Sequence, residues 1–263
     1  MDSQYIEGPR IYIIARPTLD MQAVQHFLAD ENVIWRRTQG AKEAEEIVEL
    51  GGRVCYMSFG ATQSPRTTAE YLHNLVEMGH ESVLEHAVWT VLITGVSRSF
   101  SHQLVRHRAG FAFSQLSQQY HDETEAKFVL PEVLKNDARA RDIWTAVMVN
   151  SKEAYKKILA SVDDTFMASD PTLTPKERRR ALRSAARSVL PNATETKVMV
   201  TANARALRHF LRVRGGIVGD PEMRRVAAGL LQRMAQEAPA IFDDFSVQSC
   251  SDGSPIIVSK NAA

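Results

Sequence analysis

The sequence is short of the features that most directly disclose a function. Its 263 residues include two cysteines, Cys55 and Cys250. That pair offers neither a metal-ligand spacing nor a disulfide framework, and it suits a reducing compartment. Neither sign of charge prevails: the net charge is +1. No global field therefore draws nucleic acid, and any anion site must be local. The N-terminal MDSQYIEGPR lacks the apolar stretch of a signal peptide, and no apolar run is long enough to span a bilayer. The expectation is a cytoplasmic protein with no membrane and no nucleic acid among its partners. The glycine-rich dinucleotide fingerprint and the phosphate-loop pattern are both missing. No serine sits in a nucleophile elbow, and Cys55 has no activating neighbours in sequence. His80, Glu81, Glu85 and His86 cluster, but histidines six apart do not match the i, i+4 helical arrangement. No metal is expected.

What the chain does have is ordinary globular composition, with 44% hydrophobic and 24% charged residues, enough for a core. Residues 1–9 read as a flexible tail. RIYIIAR (10–16) reads as a strand and 19–28 as a helix. The Ala, Glu, Ile and Leu of 42–54 suit a helix that ends near Gly51 and Gly52 or runs on to Cys55. Thr67 and Glu70 make a capping box for a helix towards Gly79. HAVWTVLITGV (86–96) alternates as a strand. A short strand fits 128–130, and a long helix fits the spacing from Ile143 to Ile158. Thr174, Pro175 and Glu177 give N-cap, N1 and N3 of an arginine-rich helix. TETKVMVT (194–201) alternates, 203–213 is helical by pattern, and Asp220 with Pro221 starts the last amphipathic helix. The expected domains are one body over 10–245 and a weakly structured tail over 246–263. Mixed helices and scattered strands without a βαβ rhythm predict an α+β fold: a small mixed or antiparallel sheet with several packed helices.

The most informative stretch is SRSFSHQLVRHRAGFAFSQLSQQY (97–120). Arg106, His107 and Arg108 stand in a row after a short helical run. Consecutive helical positions point about 100° apart, so the two arginines can serve ligands on different sides. The hydroxyls, amides and backbone N–H groups of the loop expected after them suit phosphate oxygens. The plainer alternative is a solvated helix end favoured by the macrodipole. Two more arginine-bearing segments, ARSVLP around Arg187 and NARALRHFLRVR (203–214), carry the same ambiguity. In the latter, Arg205, Arg208 and Arg212 occupy neighbouring helical positions.

Taken together, these segments resemble the flavin-dependent thymidylate synthase family, which is marked by Arg-His-Arg, seven residues, then Ser. Here the motif is Arg106–Arg108 with Ser117. GRVCY (52–56), GHESVLEH (79–86), ITGVSRS (93–99), AARSVLPNATET (185–196) and NARALRHF (203–210) are similar to family blocks and follow family order. The resemblance implies an α+β homotetramer that shares active sites between subunits. It implies FAD held by Ser82, Arg106, His107, Arg108, Gln115, Asn203, Arg205 and His209. It implies a uridylate, dUMP or UMP, held by Gln103, Arg106, Gln115, Ser117, Gln118, Gln119, Arg187 and Arg214. Arg214 matches the arginine that polarises the pyrimidine near N3, which is the catalytic role. Methylenetetrahydrofolate would donate the carbon and NADPH the reducing power.

The chain also departs from the family pattern. Eight residues, Ala109 to Leu116, separate the motif from Ser117, one more than usual. Ala112 replaces a common serine, Gln119 an arginine of the uridylate pocket, and Val218 a common histidine. These changes open a second expectation, a UMP-preferring methylase of nucleoside-antibiotic biosynthesis. Other classes weighed are a methylation-inactive flavin NADPH oxidase and a nucleotide- or RNA-binding module.

Overall fold

Alternating Val, Leu, Ile and Thr build the longest strand among the described residues, β3 (Val88–Ser97), with Trp89, Val91 and Ile93 buried on one face. In the computed structural model, residues 5–6, 8–169 and 172–260 are described. The strands are β1 (Tyr5–Ile6), β2 (Arg10–Ala15), β3, β4 (Phe111–Gln115), β5 (Phe128–Val129), β6 (Glu195–Asn203), β7 (Phe245–Ser249) and β8 (Pro255–Ser259). The α-helices are α1 (Met21–Asp30), α2 (Glu43–Tyr56), α3 (Thr68–Glu77), α4 (Arg98–Leu104), α5 (Ala138–Ser169), α6 (Pro175–Ala186), α7 (Ala204–Gly215), α8 (Pro221–Glu237) and α9 (Pro239–Phe242). One sheet has the strand order β2-β3-β6-β4, and two-stranded pairs β1-β5 and β7-β8 accompany it. This is the α+β architecture expected.

The chain divides into two compact units. The first comprises Met1–Arg10, Ile93–Arg106 and Ser114–Val198. The second comprises Ile11–Leu92, His107–Phe113 and Met199–Ala263.

In the first unit, Phe128 pairs in parallel with Tyr5 and bridges antiparallel to Thr194. Phe128, Ala126 and Met148 form a core patch closed by Tyr5, Trp144 and Ala193. Ser97 Oγ accepts from Phe100 N at 3.0 Å and starts α4. The Thr174/Glu177 capping box starts α6 as its sequence predicts.

In the second unit, α7 packs on α8, α8 on β8, and α3 on α9. Phe210, Leu211, Val226, Leu230, Met234 and Phe242 fill the core. Trp89 meets Phe242 edge-on at 6.3 Å.

Helix α2 runs through Gly51 and Gly52 to Tyr56 because these glycines serve close packing rather than termination. A Cβ on Gly52 would lie 2.6 Å from the Tyr71 hydroxyl, and one on Gly51 would lie 2.9 Å from the His86 ring. The helix ends instead at Met57, in the left-handed region with φ 45°.

Both stretches read as tails carry strands. Tyr5 and Ile6 form β1, while 1–4 and 7 of that expected tail lie outside the described residues. The C-terminal stretch forms a β7–β8 hairpin, with Phe245 opposite Ser259. Its Asp252–Gly253 turn is a legible hairpin signal. Ile257 anchors it: a Cβ on Gly215 of α7 would lie 2.7 Å from the Ile257 Cβ. Residues 261–263 lie outside the described residues.

Candidate functional site

The Arg-His-Arg motif follows the end of α4, and what comes after it is a strand, not the loop expected. Strand β4 has alternating burial, so Phe111, Phe113 and Gln115 share one face and Ala112 and Ser114 the other. A turn at 109–110 precedes β4. There Gly110 adopts φ +72°, and its carbonyl accepts from Asn203 N at 3.3 Å. A Cβ at this position would come within 2.7 Å of Ala206 Cβ and 2.8 Å of Asn203 Nδ2. Gly110→Ala is therefore expected to destabilise the protein by about 1–3 kcal/mol, the scale of a strained backbone position. Thermal unfolding checks this; an unchanged midpoint would mean that the turn relaxes away from α7.

In the second unit, α7 brings the motif its partners. Asn203 caps α7 by accepting from Ala206 N at 2.8 Å. Arg214, one residue before the hairpin contact at Gly215, donates through Nε to His107 Nε2 at 2.9 Å. That bond requires an unprotonated Nε2, so His107 is neutral and carries its proton on Nδ1. Burial, then the charges of Arg214 and His209, lower the His107 pKa below its ordinary value. The His107 ring lies 5.3 Å from Phe210, 5.9 Å from Phe111 and 6.2 Å from His209. Phe111 and Phe113 stack nearly parallel at 5.6 Å. Arg108 and Ser82 are exposed. Arg205 pairs with Glu85 at 2.6 Å and Arg212 with Glu81 at 2.6 Å. The acidic residues of the 80–86 cluster thus serve as arginine partners. Arg208 departs from the solvated-face reading. It is wholly buried and paired with Asp244, and so is a structural residue.

In the first unit, Gln115 donates through Nε2 to Ser101 Oγ at 2.9 Å and Thr196 Oγ1 at 3.2 Å. These bonds orient its amide, and its carbonyl oxygen has no donor among the described residues. Gln118 is buried against Glu123, whose carboxyl is pushed above the usual range mainly by burial. Ser117 is half-buried, while Gln103 and Arg106 are exposed. Gln119 donates to Ser184 Oγ at 3.4 Å and accepts from Arg180 Nε at 3.2 Å, so both ends of its amide engage α6. Arg187 follows α6 and faces a second cation, Arg98. Burial first, then the like charge of Arg187, lowers the Arg98 pKa. Glu123 offsets part of that effect, and two neighbouring arginines suit an anion.

Sequence reasoning gave no role to Arg98, Ser101, Thr196 or Arg180. Arg98 lies inside a recognised block, ITGVSRS. The i, i+4, i+7 spacing of Arg180, Ser184 and Arg187 was a legible signal for the last.

The sequence profile described as "Thymidylate synthase complementing protein" matches residues 38–240. A flavin-dependent thymidylate synthase of Corynebacterium aurimucosum is 39% identical over 248 residues, covering 93% of this chain and 98% of that protein. One from Mycobacterium sp. (strain JLS) is 40% identical over 254 residues, 94% of each chain. One from Mycobacterium tuberculosis is 42% identical over 238 residues, 90% of this chain and 92% of its own. The chain belongs to the flavin-dependent thymidylate synthase family.

Proposed function

We propose that this protein methylates C5 of a uridylate, using methylenetetrahydrofolate as carbon donor, NADPH as reductant and FAD as hydride carrier. The observation that carries the reading is Arg214 held on neutral His107 at 2.9 Å, beside the stacked Phe111 and Phe113. Flat aromatic faces suit an isoalloxazine ring, and the cations Arg108 and Arg205 suit a pyrophosphate. Ser82, Arg106, His107, Arg108, Gln115, Asn203, Arg205 and His209 are the residues proposed to hold FAD. Bound FAD supplies the hydride that takes the one-carbon unit from the formaldehyde level to a methyl group.

The chain's own part is to make C5 reactive. Uracil C5 is a weak nucleophile. A fixed guanidinium at N3 and the flanking carbonyls stabilises the negative charge that develops as C5 attacks. Arg214 is proposed for that role, with no cysteine nucleophile. Gln103, Arg106, Gln115, Ser117, Gln118, Gln119 and Arg187 are proposed to orient the nucleotide. The functional unit is proposed as a homotetramer, in the cytoplasm.

The names of the relatives favour dUMP. A second reading, in which UMP is preferred, rests on the departures from the family pattern at Ala109–Gly110, Ala112 and Gln119. A reshaped turn that hydrogen-bonds a ribose hydroxyl rejects the analogue lacking it. Turnover of dUMP and UMP side by side, with all three cofactors, tests both. Methylated product from either nucleotide by a yellow holoenzyme supports the main reading, and preference for UMP supports the second. A protein that oxidises NADPH without methylated product, or retains no flavin, would overturn both.

A further inference from the structure

Helix α2 carries four charged side chains that the second unit buries: Glu45, Glu46, Glu49 and Arg53. Two of them are fully engaged. Glu45 Oε1 accepts from Ala240 N at 2.7 Å and its Oε2 from Lys42 N at 3.2 Å. Glu46 accepts two bonds from Arg37, each 2.7 Å. Glu49 and Arg53, at i and i+4, are engaged only in part. Arg53 Nε donates to Glu49 Oε1 at 2.6 Å, and Trp35 Nε1 donates to the same oxygen at 3.3 Å. Arg53 Nη1 donates to the Ser58 carbonyl at 3.2 Å. Glu49 Oε2 and Arg53 Nη2 have no hydrogen-bond partner among the described residues, although these side chains are 1% and 0% exposed.

Nε and Nη2 form the edge with which a guanidinium grips a carboxylate by two parallel bonds. Here one of the two bonds is made and the other is open. An open donor and an open acceptor on buried charges carry a desolvation cost that nothing offsets. A third buried atom is open as well. Thr68 begins α3, and its N–H donates to Thr38 Oγ1 at 2.9 Å, but its own Oγ1 has no partner among the described residues. Tyr71, three residues on, shares that face of α3. The Arg53 guanidinium lies 4.6 Å from the Tyr71 ring. A helical aromatic side chain leans back over the preceding turn, so the guanidinium stacked on it lies beside Thr68.

The three atoms have complementary needs. Glu49 Oε2 requires a donor, Arg53 Nη2 requires an acceptor, and the Thr68 hydroxyl can serve as either. Arg53 repels a cation and Glu49 repels an anion. Water is neutral, donates twice and accepts, and two to four polar partners are what a buried water takes.

We propose that one buried water bridges Glu49 Oε2, Arg53 Nη2 and Thr68 Oγ1, completing the half-made ion pair and tying α2 to α3. None of these three residues is among those proposed to hold FAD or the uridylate.

The test begins with a crystal structure of the FAD-loaded protein at a resolution that shows ordered water. One water is expected within about 3.2 Å of all three atoms, the reach of an ordinary hydrogen bond. Thr68→Val replaces the hydroxyl with a methyl of similar shape. It should lower the Tm by roughly 2–8 °C and displace the water. Thr68→Ser keeps the hydroxyl, and it should keep the water and most of the Tm. A direct bond between Arg53 Nη2 and Glu49 Oε2 with no water beside it would overturn the proposal, and that result needs no variant. A water that Thr68 does not touch would overturn it too. Equal losses of Tm in the valine and serine variants would assign the effect to packing at Thr68. That result, or a valine variant as stable as the parent, would also overturn the three-point site.

Discussion

Arg214→Lys is expected to lower kcat about 100- to 1,000-fold, the scale of a lost transition-state charge donor, while the nucleotide dissociation constant changes little. Arg214 Nε is occupied by His107 Nε2 at 2.9 Å. The remaining guanidinium edge is what a pyrimidine would meet. Lysine keeps the charge but is a single point donor, and it cannot grip His107 and address a planar edge together. Charge that develops only as C5 attacks is therefore under-stabilised, and ground-state binding is spared. Rapid-quench single turnover with equilibrium binding separates the two. A loss confined to binding, with single-turnover chemistry intact, would remove Arg214 from the catalytic role.

The same contact sets a pH dependence. His107 must be neutral to accept from Arg214, and its pKa lies below the ordinary histidine value, first because of burial and then because of Arg214 and His209. As pH falls, an unfolded chain takes up this proton before the folded one does. The stability contributed by neutral His107 is full above the ordinary histidine value and is lost as pH falls through the depressed one. The catalytic anchor of Arg214 is lost over the lower part of that window. An acid limb in kcat/KM displaced below the ordinary histidine range is the expected signature.

Much of this is legible in the sequence. Thr67 with Glu70 and Thr174 with Glu177 announced their helices, because a capping box is a local exchange of hydrogen bonds that needs no tertiary partner. Strand β3 was legible for a similar reason, since alternation along ten residues records its own burial. Other features depend on distant partners. Strand β4 was taken for a loop because its Phe-Ala-Phe-Ser-Gln pattern is short and follows a glycine. The C-terminal hairpin reads as a weakly structured tail because its buried positions, Phe245, Ser254 and Ile257, are few and depend on distant partners. The basic stripe of α7 hid two environments: exposed ion pairs for Arg205 and Arg212, and the core for Arg208. Helical spacing places residues on a face, but it does not say how deep that face is buried. The motif blocks exposed the site residues, whereas the Arg180–Gln119 bond needed the fold.

Arg208→Met is expected to destabilise the protein by about 3–5 kcal/mol, the range for breaking one half of a buried ion pair. Thermal unfolding should show a midpoint lower by roughly 6–15 °C. The Arg208 side chain is 0% exposed. Its Nη1 donates to Asp244 Oδ1 at 2.6 Å and its Nη2 to Oδ2 at 2.8 Å. Nη1 also donates to the Ile241 carbonyl, and the guanidinium lies 4.9 Å from the Phe245 ring. Methionine fills similar volume, but it leaves Asp244 as a poorly solvated anion and the Ile241 carbonyl without its donor. The desolvation penalty of Asp244 then stands uncompensated. Removing both charges is a different case. Arg208→Met with Asp244→Leu should recover most of the loss, because a buried pair that repays its own desolvation only in part can be exchanged for apolar contact. The paired measurement distinguishes charge from packing. If the double variant is as unstable as the single one, the role of Arg208 lies in the Ile241 carbonyl and the Phe245 ring rather than in Asp244. If Arg208→Met alone shifts the midpoint by no more than a degree or two, the bidentate pair contributes no stability and its burial needs another cause.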